Sequence, residues 1–363
     1  MEQEFHRFFH GHNDLVLAVS YNAYGTRLAT ASSDHRVRVW DRNDQTGKWD
    51  IAEAWTAHDA EVMDIKWAGP YVGEIIGTVG EDGLVRLWQE LPDKSGRRFR
   101  KIYEHVSPTD MPYMSLDFKN VGCSVFLALF TADGHLSVLE PEDGEKLTSW
   151  RSMWAEHISK APLGGEEAGF RLCWHAEKLP AWPAVLAGLD RKSMGVAVTA
   201  GDTVKVFRTD AERKWYLAAT LEGAKGLVRD VSWANGSMRG FDLIATASKD
   251  GCVRIYELHT PGEGTLCTVT STVQSTAMKP RSGIGTGLAG GARGRRDDNA
   301  DSPGAIKQEA ELVAEWETHN GAPWRVTWSP AGDVLVSGGD DGVVRMWKKA
   351  NGKWLAAAEV GDC

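Results

Sequence analysis

The sequence has no long apolar run. The longest, Val125 to Phe130, is six residues, against about twenty for a transmembrane helix, so no transmembrane segment is expected. Basic residues are outnumbered: 41 Lys and Arg against 50 Asp and Glu give a formal charge of −9. That balance argues against a nucleic-acid binder with a basic surface. Paired cysteines are missing too. Cys123, Cys173, Cys252, Cys267 and Cys363 are scattered, odd in number and never spaced C-x-x-C. This argues against a disulfide framework or zinc ribbon, and a reducing compartment fits better. The acidic opening Met1-Glu2-Gln3-Glu4 has neither a basic n-region nor an apolar h-region, so no secretory signal is expected.

Enzyme signatures are equally scarce. There is no Walker-type phosphate loop and no Gly-x-Ser-x-Gly between strand and helix. Gly285-Thr-Gly287-Leu-Ala-Gly290 is a formal dinucleotide motif, but Ala-Arg-Gly-Arg-Arg-Asp-Asp follows it, not an amphipathic helix. His10 and His12 lack a third metal ligand nearby. We expect a non-enzymatic protein with no catalytic residue, metal, cofactor or small-molecule substrate.

What the chain does have is 39 glycines and 16 tryptophans in 363 residues. Frequent turns and many aromatics call for a search for repeats. One pattern recurs six times: an apolar strand, a small or polar pair, an Asp, then a strand closing on a large residue. Leu28 to Asp34 leads to Trp40, and Ile75 to Asp82 leads to Trp88. Phe126 to Asp133 leads to Leu139, and Gly195 to Asp202 leads to Phe207. Leu243 to Asp250 leads to Tyr256, and Val334 to Asp341 leads to Trp347. Each reads as a hairpin with the Asp in its turn. In the fourth, the Asp is one residue nearer the close.

A strand ending in an aromatic precedes each hairpin, at Tyr21, Trp67, Phe118, Trp174, Trp233 and Trp328. A further strand follows it, the last being Lys353 to Val360. Six units of four strands make an all-β, six-bladed propeller of 24 strands, one domain over residues 1–363. The Asp-to-Asp spacings are 48, 51, 69, 48 and 91 residues, so the base period is near 48 and two units carry insertions. The larger, residues 259–308, falls between the third and fourth strands of unit five. Its Gly, Ser, Thr and Pro content predicts a disordered loop. Lys279 to Arg296 in this loop holds five positive charges and no negative one, and Ser302-Pro303 is a phosphoacceptor pattern.

No strand is left over to staple the ring. Either it stays open between blades one and six, its strand edge a template for another chain, or the six blades close on one another, with Phe5 to Phe9 as a possible staple.

The repeat resembles the WD40 family. Its marks are His12, His58 and His319 ahead of units one, two and six, the turn residues Asp34, Asp82 and Asp341, and Trp40, Trp88 and Trp347. In that family such residues, with a hydroxyl, form a buried hydrogen-bond network in each blade. Asp133 and Asp250 carry the turn mark where Leu139 and Tyr256 replace Trp. Blades three to five are therefore expected to rely on packing alone.

Other segments are similar to the Seh-type propellers of the nuclear pore Y-complex. They are Trp55-Thr-Ala-His58-Asp59, Ser95-Gly-Arg-Arg98 and Gly339-Asp-Asp341-Gly-Val-Val-Arg345-Met-Trp347-Lys348, whereas the opening Gly11-His-Asn-Asp14 resembles the COPII-coat and nuclear-pore propellers alike. This resemblance implies a scaffold subunit at the nuclear envelope. In that family an open six-bladed ring is completed in trans by a β-blade from an α-solenoid nucleoporin. It also implies a place in the SEA/GATOR assembly, which signals nutrient state to the TOR kinase at the vacuolar or lysosomal surface. Candidate partner contacts beside the gap are Phe5, Phe8, Phe9, Leu15, Val16, Trp324 and Arg325. A COPII vesicle-coat propeller and a closed, peptide-reading WD40 adaptor remain alternatives at this level.

Overall fold

The computed structural model describes residues 8–91, 98–144, 146–159, 169–236, 240–261, 304–317 and 319–361. Phe5 and positions 262–303 of the long insertion, including the glycine motif, the basic run and Ser302-Pro303, lie outside them. The described chain forms six four-stranded antiparallel sheets, each built from consecutive strands. The innermost strands are Val16–Tyr21, Val62–Trp67, Tyr113–Val121, Leu172–Trp174, Val228–Trp233 and Pro323–Trp328. The outermost strands, in the same order, are Trp49–Thr56, Phe99–Val106, Lys146–His157, Trp215–Leu221, Glu309–Glu317 and Lys353–Val360. One short helix, Trp182–Leu186, sits between the first two strands of blade four with Pro183 in its first turn. No helix among the described residues is long and apolar enough to cross a membrane.

Two backbone features repeat around the ring. First, the residue after the turn Asp has positive φ in five blades: His35, Gly83, Gly134, Gly251 and Gly342. Glycine takes that conformation without a Cβ clash. Blade four has its positive-φ Gly201 ahead of Asp202 instead, which is why its hairpin is one residue shorter. Second, the pairing of third and fourth strands slips by one residue beside Trp40, Trp88, Leu139, Phe207, Tyr256 and Trp347. A bulge there strengthens the local twist. It seats the large residue closing each repeat, and no composition signal marks it.

The core lies between blades. Ala29, Val37 and Val39 of blade one pack on Ile65, Trp67 and Trp88 of blade two. Comparable clusters join blades two to three, three to four, four to five and five to six. The sixth junction differs. Ile65, Leu116, Leu172, Val231 and Val326 occupy equivalent innermost-strand positions and are all buried, whereas their counterpart Val19 is 54% exposed. Two residues on, Trp67, Phe118, Trp174 and Trp233 are buried, while Tyr21 is 57% exposed. On the facing side Val344 is 39% exposed, where its blade-one counterpart Val37 is fully buried.

The long insertion departs from its expected boundaries. His259 closes the third strand of blade five. Residues 304–308 are held against blade four: Ile306 N–H donates to the Tyr216 hydroxyl (2.9 Å), Gln308 N–H to Ala218 O (2.9 Å), and Arg208 Nε–H to Gln308 Oε1 (2.6 Å). Arg208 is buried and paired with Asp242 at 2.6 Å, so Nε and Nη2 of this anchor have partners while the buried Nη1 has none among the described residues.

These exposures predict a position-dependent effect. Ile65→Ala should cost about 2–4 kcal/mol, whereas Val19→Ala should stay within about 0.5 kcal/mol. Urea unfolding of the isolated chain measures both. A comparable loss at the two positions would show that Val19 is covered in the free protein.

Candidate functional site

The structure assembles the repeated polar residues into chains of hydrogen bonds. In blade one His12 Nδ1 lies 3.0 Å from Asp34, and Nε2 lies 2.8 Å from the Thr30 hydroxyl. The Trp40 indole N–H donates to the same hydroxyl at 3.4 Å. Blade two repeats this with His58, Asp82, Thr78 and Trp88 at 2.9, 2.8 and 3.0 Å. Blade six does so with His319, Asp341, Ser337 and Trp347 at 3.0, 2.9 and 3.1 Å. Donor logic fixes the direction. In blade one the carboxylate can only accept, so His12 Nδ1 carries the proton and a neutral ring accepts from the Thr30 hydroxyl at Nε2. Burial lowers the His12 pKa despite the neighbouring Asp34, in keeping with a neutral ring.

The Asp does more than orient a histidine. It accepts from the backbone N–H two residues on, closing the hairpin turn: Arg36, Leu84, Cys252 and Val343 at 3.0–3.2 Å. It also accepts from the chain entering the blade, at Asn13, Asp59, Lys225 and Asn320, over 2.8–3.2 Å. Each carboxylate thus ties the entry loop to the second hairpin.

Blades three and five do not rely on packing alone. In blade five Arg254, two residues before the closing Tyr256, grips Asp250 with both terminal nitrogens at 3.1 and 2.7 Å, taking the place of a histidine. In blade three Asp133 accepts from the hydroxyls of Thr131 and Thr109. The sequence signal for Arg254 was visible, since Val-Arg precedes the closing residue at Arg38, Arg86, Arg254 and Arg345. Arg86 and Arg345 also reach their turn Asp, at 3.5 and 2.7 Å.

A second set of polar residues joins the blades. The Ser20 hydroxyl, Asp64, Asp117, Cys173 Sγ and Asp230 each accept a backbone N–H from the next blade, at Trp67, Leu116, Trp174, Trp233 and Val326, over 2.9–3.4 Å. Trp67, Trp174 and Trp328 add indole N–H bonds to carbonyls of the preceding blade. The repeat pattern did not reveal these residues, because their chemistry changes from blade to blade.

The partner candidates divide. Leu15 is 70% and Phe9 84% exposed. Phe8 packs edge-on against Trp40, ring centres 5.3 Å apart. Val16 is half-buried. Trp324 is 45% exposed, and Arg325 donates to Leu17 O across the junction at 2.8 Å. Leu15, Val16, Trp324 and Arg325 therefore lie together where blade six meets blade one.

Six four-stranded blades, three of them with His–Asp–hydroxyl–Trp chains, define a WD40-type propeller. The family model for the WD domain, G-beta repeat, matches residues 3–41, 215–257 and 310–348. Over nearly its whole length the chain is similar to nucleoporin SEH1 of Saccharomyces cerevisiae, 32% identical over 347 residues, covering 94% of each protein. Nucleoporin seh1 of Schizosaccharomyces pombe is 30% identical, with 93% of this chain and 90% of that protein covered. Nucleoporin SEH1 of Homo sapiens is 28% identical, with 93% and 82% covered. The chain belongs to the Seh1 nucleoporin family.

The Asp250–Arg254 pair predicts a pH-dependent stability difference. Burial opposes ionisation of Asp250, but the Arg254 guanidinium and two backbone N–H groups outweigh it and draw the pKa down to about 2. A carboxyl with a depressed folded-state pKa stabilises above its unfolded value and loses that contribution as pH falls through the folded one. Asp250→Asn should thus cost about 1–3 kcal/mol at pH 7, and the gap to wild type should shrink from about pH 4 to pH 2. A gap that stays constant over that range would count against the ion pair.

Proposed function

We propose that this chain is a non-enzymatic structural subunit of the nuclear pore scaffold, an open propeller completed in trans by a β-blade from an α-solenoid nucleoporin. Membership of the Seh1 nucleoporin family supports the setting. The observation that carries the mechanism is the exposure of Val19, Tyr21 and Val344 at one junction, where equivalent positions elsewhere are buried. A strand added there would cover apolar area at roughly 25 cal/mol per Å² and pair the exposed edge. A preformed ring would keep the ordering cost on this side low. The proposal includes the nuclear envelope as location, other Y-complex subunits as neighbours, and a second role in SEA/GATOR at the vacuolar or lysosomal surface.

The test is affinity purification of the full-length chain and of Val19→Glu/Tyr21→Glu from its own cells. Wild type should retain a near-equimolar solenoid nucleoporin at about 0.5 M salt, where screening leaves apolar contacts and buried β-pairing. The double variant should lose at least about tenfold of it, while its melting temperature in isolation stays within a few degrees. Undiminished retention would sink the trans-blade mechanism. A vesicle-coat solenoid in its place would move the protein to COPII, and only salt-sensitive, substoichiometric partners would leave a closed adaptor.

A further inference from the structure

The innermost strands converge on a cavity of about 710 Å³ at one mouth of the central channel, and every blade contributes to it. Its collar is one residue per blade: Leu17, Met63, Met114, Phe170, Arg229 and Trp324. Five of these are apolar, and the two methionines can adapt to irregular shapes. All the charged side chains lining the cavity are arginines: Arg171, Arg229 and Arg325. Of the nearby carboxylates, Asp340 accepts from the Trp324 indole N–H and lies 3.9 Å from Arg229, one negative charge against three arginines, while Asp64 and Asp230 are turned away into blade-to-blade bonds. Asp64 accepts from the Ser115 hydroxyl and Leu116 N–H, and Asp230 from Val326 N–H. Arg171 also pairs with Asp64 at 3.1 Å. Arg229 stacks on the half-exposed Trp324, 3.6 Å from the ring centre, a pairing common in binding hot spots.

We propose that this mouth binds an acidic peptide segment of a protein partner, one carboxylate meeting the arginines and a flanking large apolar side chain filling the collar. Charge complementarity selects the occupant. A cationic or neutral polar segment would meet three guanidiniums and an apolar rim. A free inorganic anion would leave the collar uncovered. Burial and the neighbouring Arg325 push the Arg171 guanidinium down to about 10, so an added negative charge relieves existing repulsion. The site shares Leu17 and Arg325 with the exposed junction, but binding here does not require a blade in trans.

The probe is a fluorescein-labelled peptide, Gly-Ser-Glu-Leu-Asp-Leu-Glu-Ser-Gly, titrated against the full-length chain by anisotropy. Its isostere with Gln and Asn in place of Glu and Asp is the comparison. The acidic peptide should bind with a Kd of about 10–100 µM and the isostere at least about tenfold more weakly. Arg229→Gln should weaken the acidic peptide at least about fivefold. Met63→Glu, which places a carboxylate in the collar, should do the same and serves if Arg229→Gln fails to fold. Lys353→Gln, on the outermost strand of blade six, removes the same charge and should change nothing. Equal binding of peptide and isostere, no binding at about 1 mM, or equal loss in Lys353→Gln and Arg229→Gln would overturn the proposal.

Discussion

A four-stranded blade has two apolar faces and can cover neither alone. Everything else in this chain depends on that constraint. The core is a series of junctions, each made of side chains from two blades, such as Val39 against Trp67 or Ala247 against Trp347. Stability is therefore passed from neighbour to neighbour around the ring. Whatever happens at the sixth junction decides whether the series ends in burial or in exposed Val19 and Tyr21.

Apolar contact is non-directional, so it cannot by itself set the angle between blades. The polar residues do that. Asp34, Asp82, Asp250 and Asp341 fix each hairpin to the loop that enters it, while Ser20, Asp64, Asp117 and Asp230 fix each innermost strand to the next. Both sets give backbone N–H groups of a neighbouring segment an acceptor. That shared role explains why the first set tolerates different partners. Histidine, arginine or a hydroxyl can each complete the carboxylate's bonds, as His58, Arg254 and Thr131 do.

The fold was legible because the turn Asp and the closing large residue recur at fixed spacing, and each has a local physical role. The histidine-marked chains of blades one, two and six were legible for the same reason. Arg254 is not legible as a histidine substitute although its Val-Arg pattern repeats, because Arg38, Arg86 and Arg345 occupy the same position in blades that also carry the histidine. The clips at Asp64, Asp117 and Asp230 were not legible. Their counterparts in other blades are Ser20 and Cys173, so no single residue type repeats, and only juxtaposition of two blades gives them partners. The pinning of 304–308 by Tyr216 and Arg208 was hidden in the same way, behind about ninety residues of sequence separation.

The junction and the channel mouth are neighbours for a geometric reason. Both are built from innermost strands, and Leu17 and Arg325 belong to both: Arg325 lines the cavity and donates to Leu17 O. Blade one offers no charged residue to the mouth; its contribution is Leu15, Val16 and Leu17. The apolar strip of blade one therefore runs from the exposed face into the collar without a polar break. A strand added at the edge would lengthen that strip, and its end nearest the channel would approach Arg325. The Arg325 guanidinium would then lie beside the added strand, and its charge would favour a strand whose end nearest the channel carries an acidic residue over one that carries a basic residue.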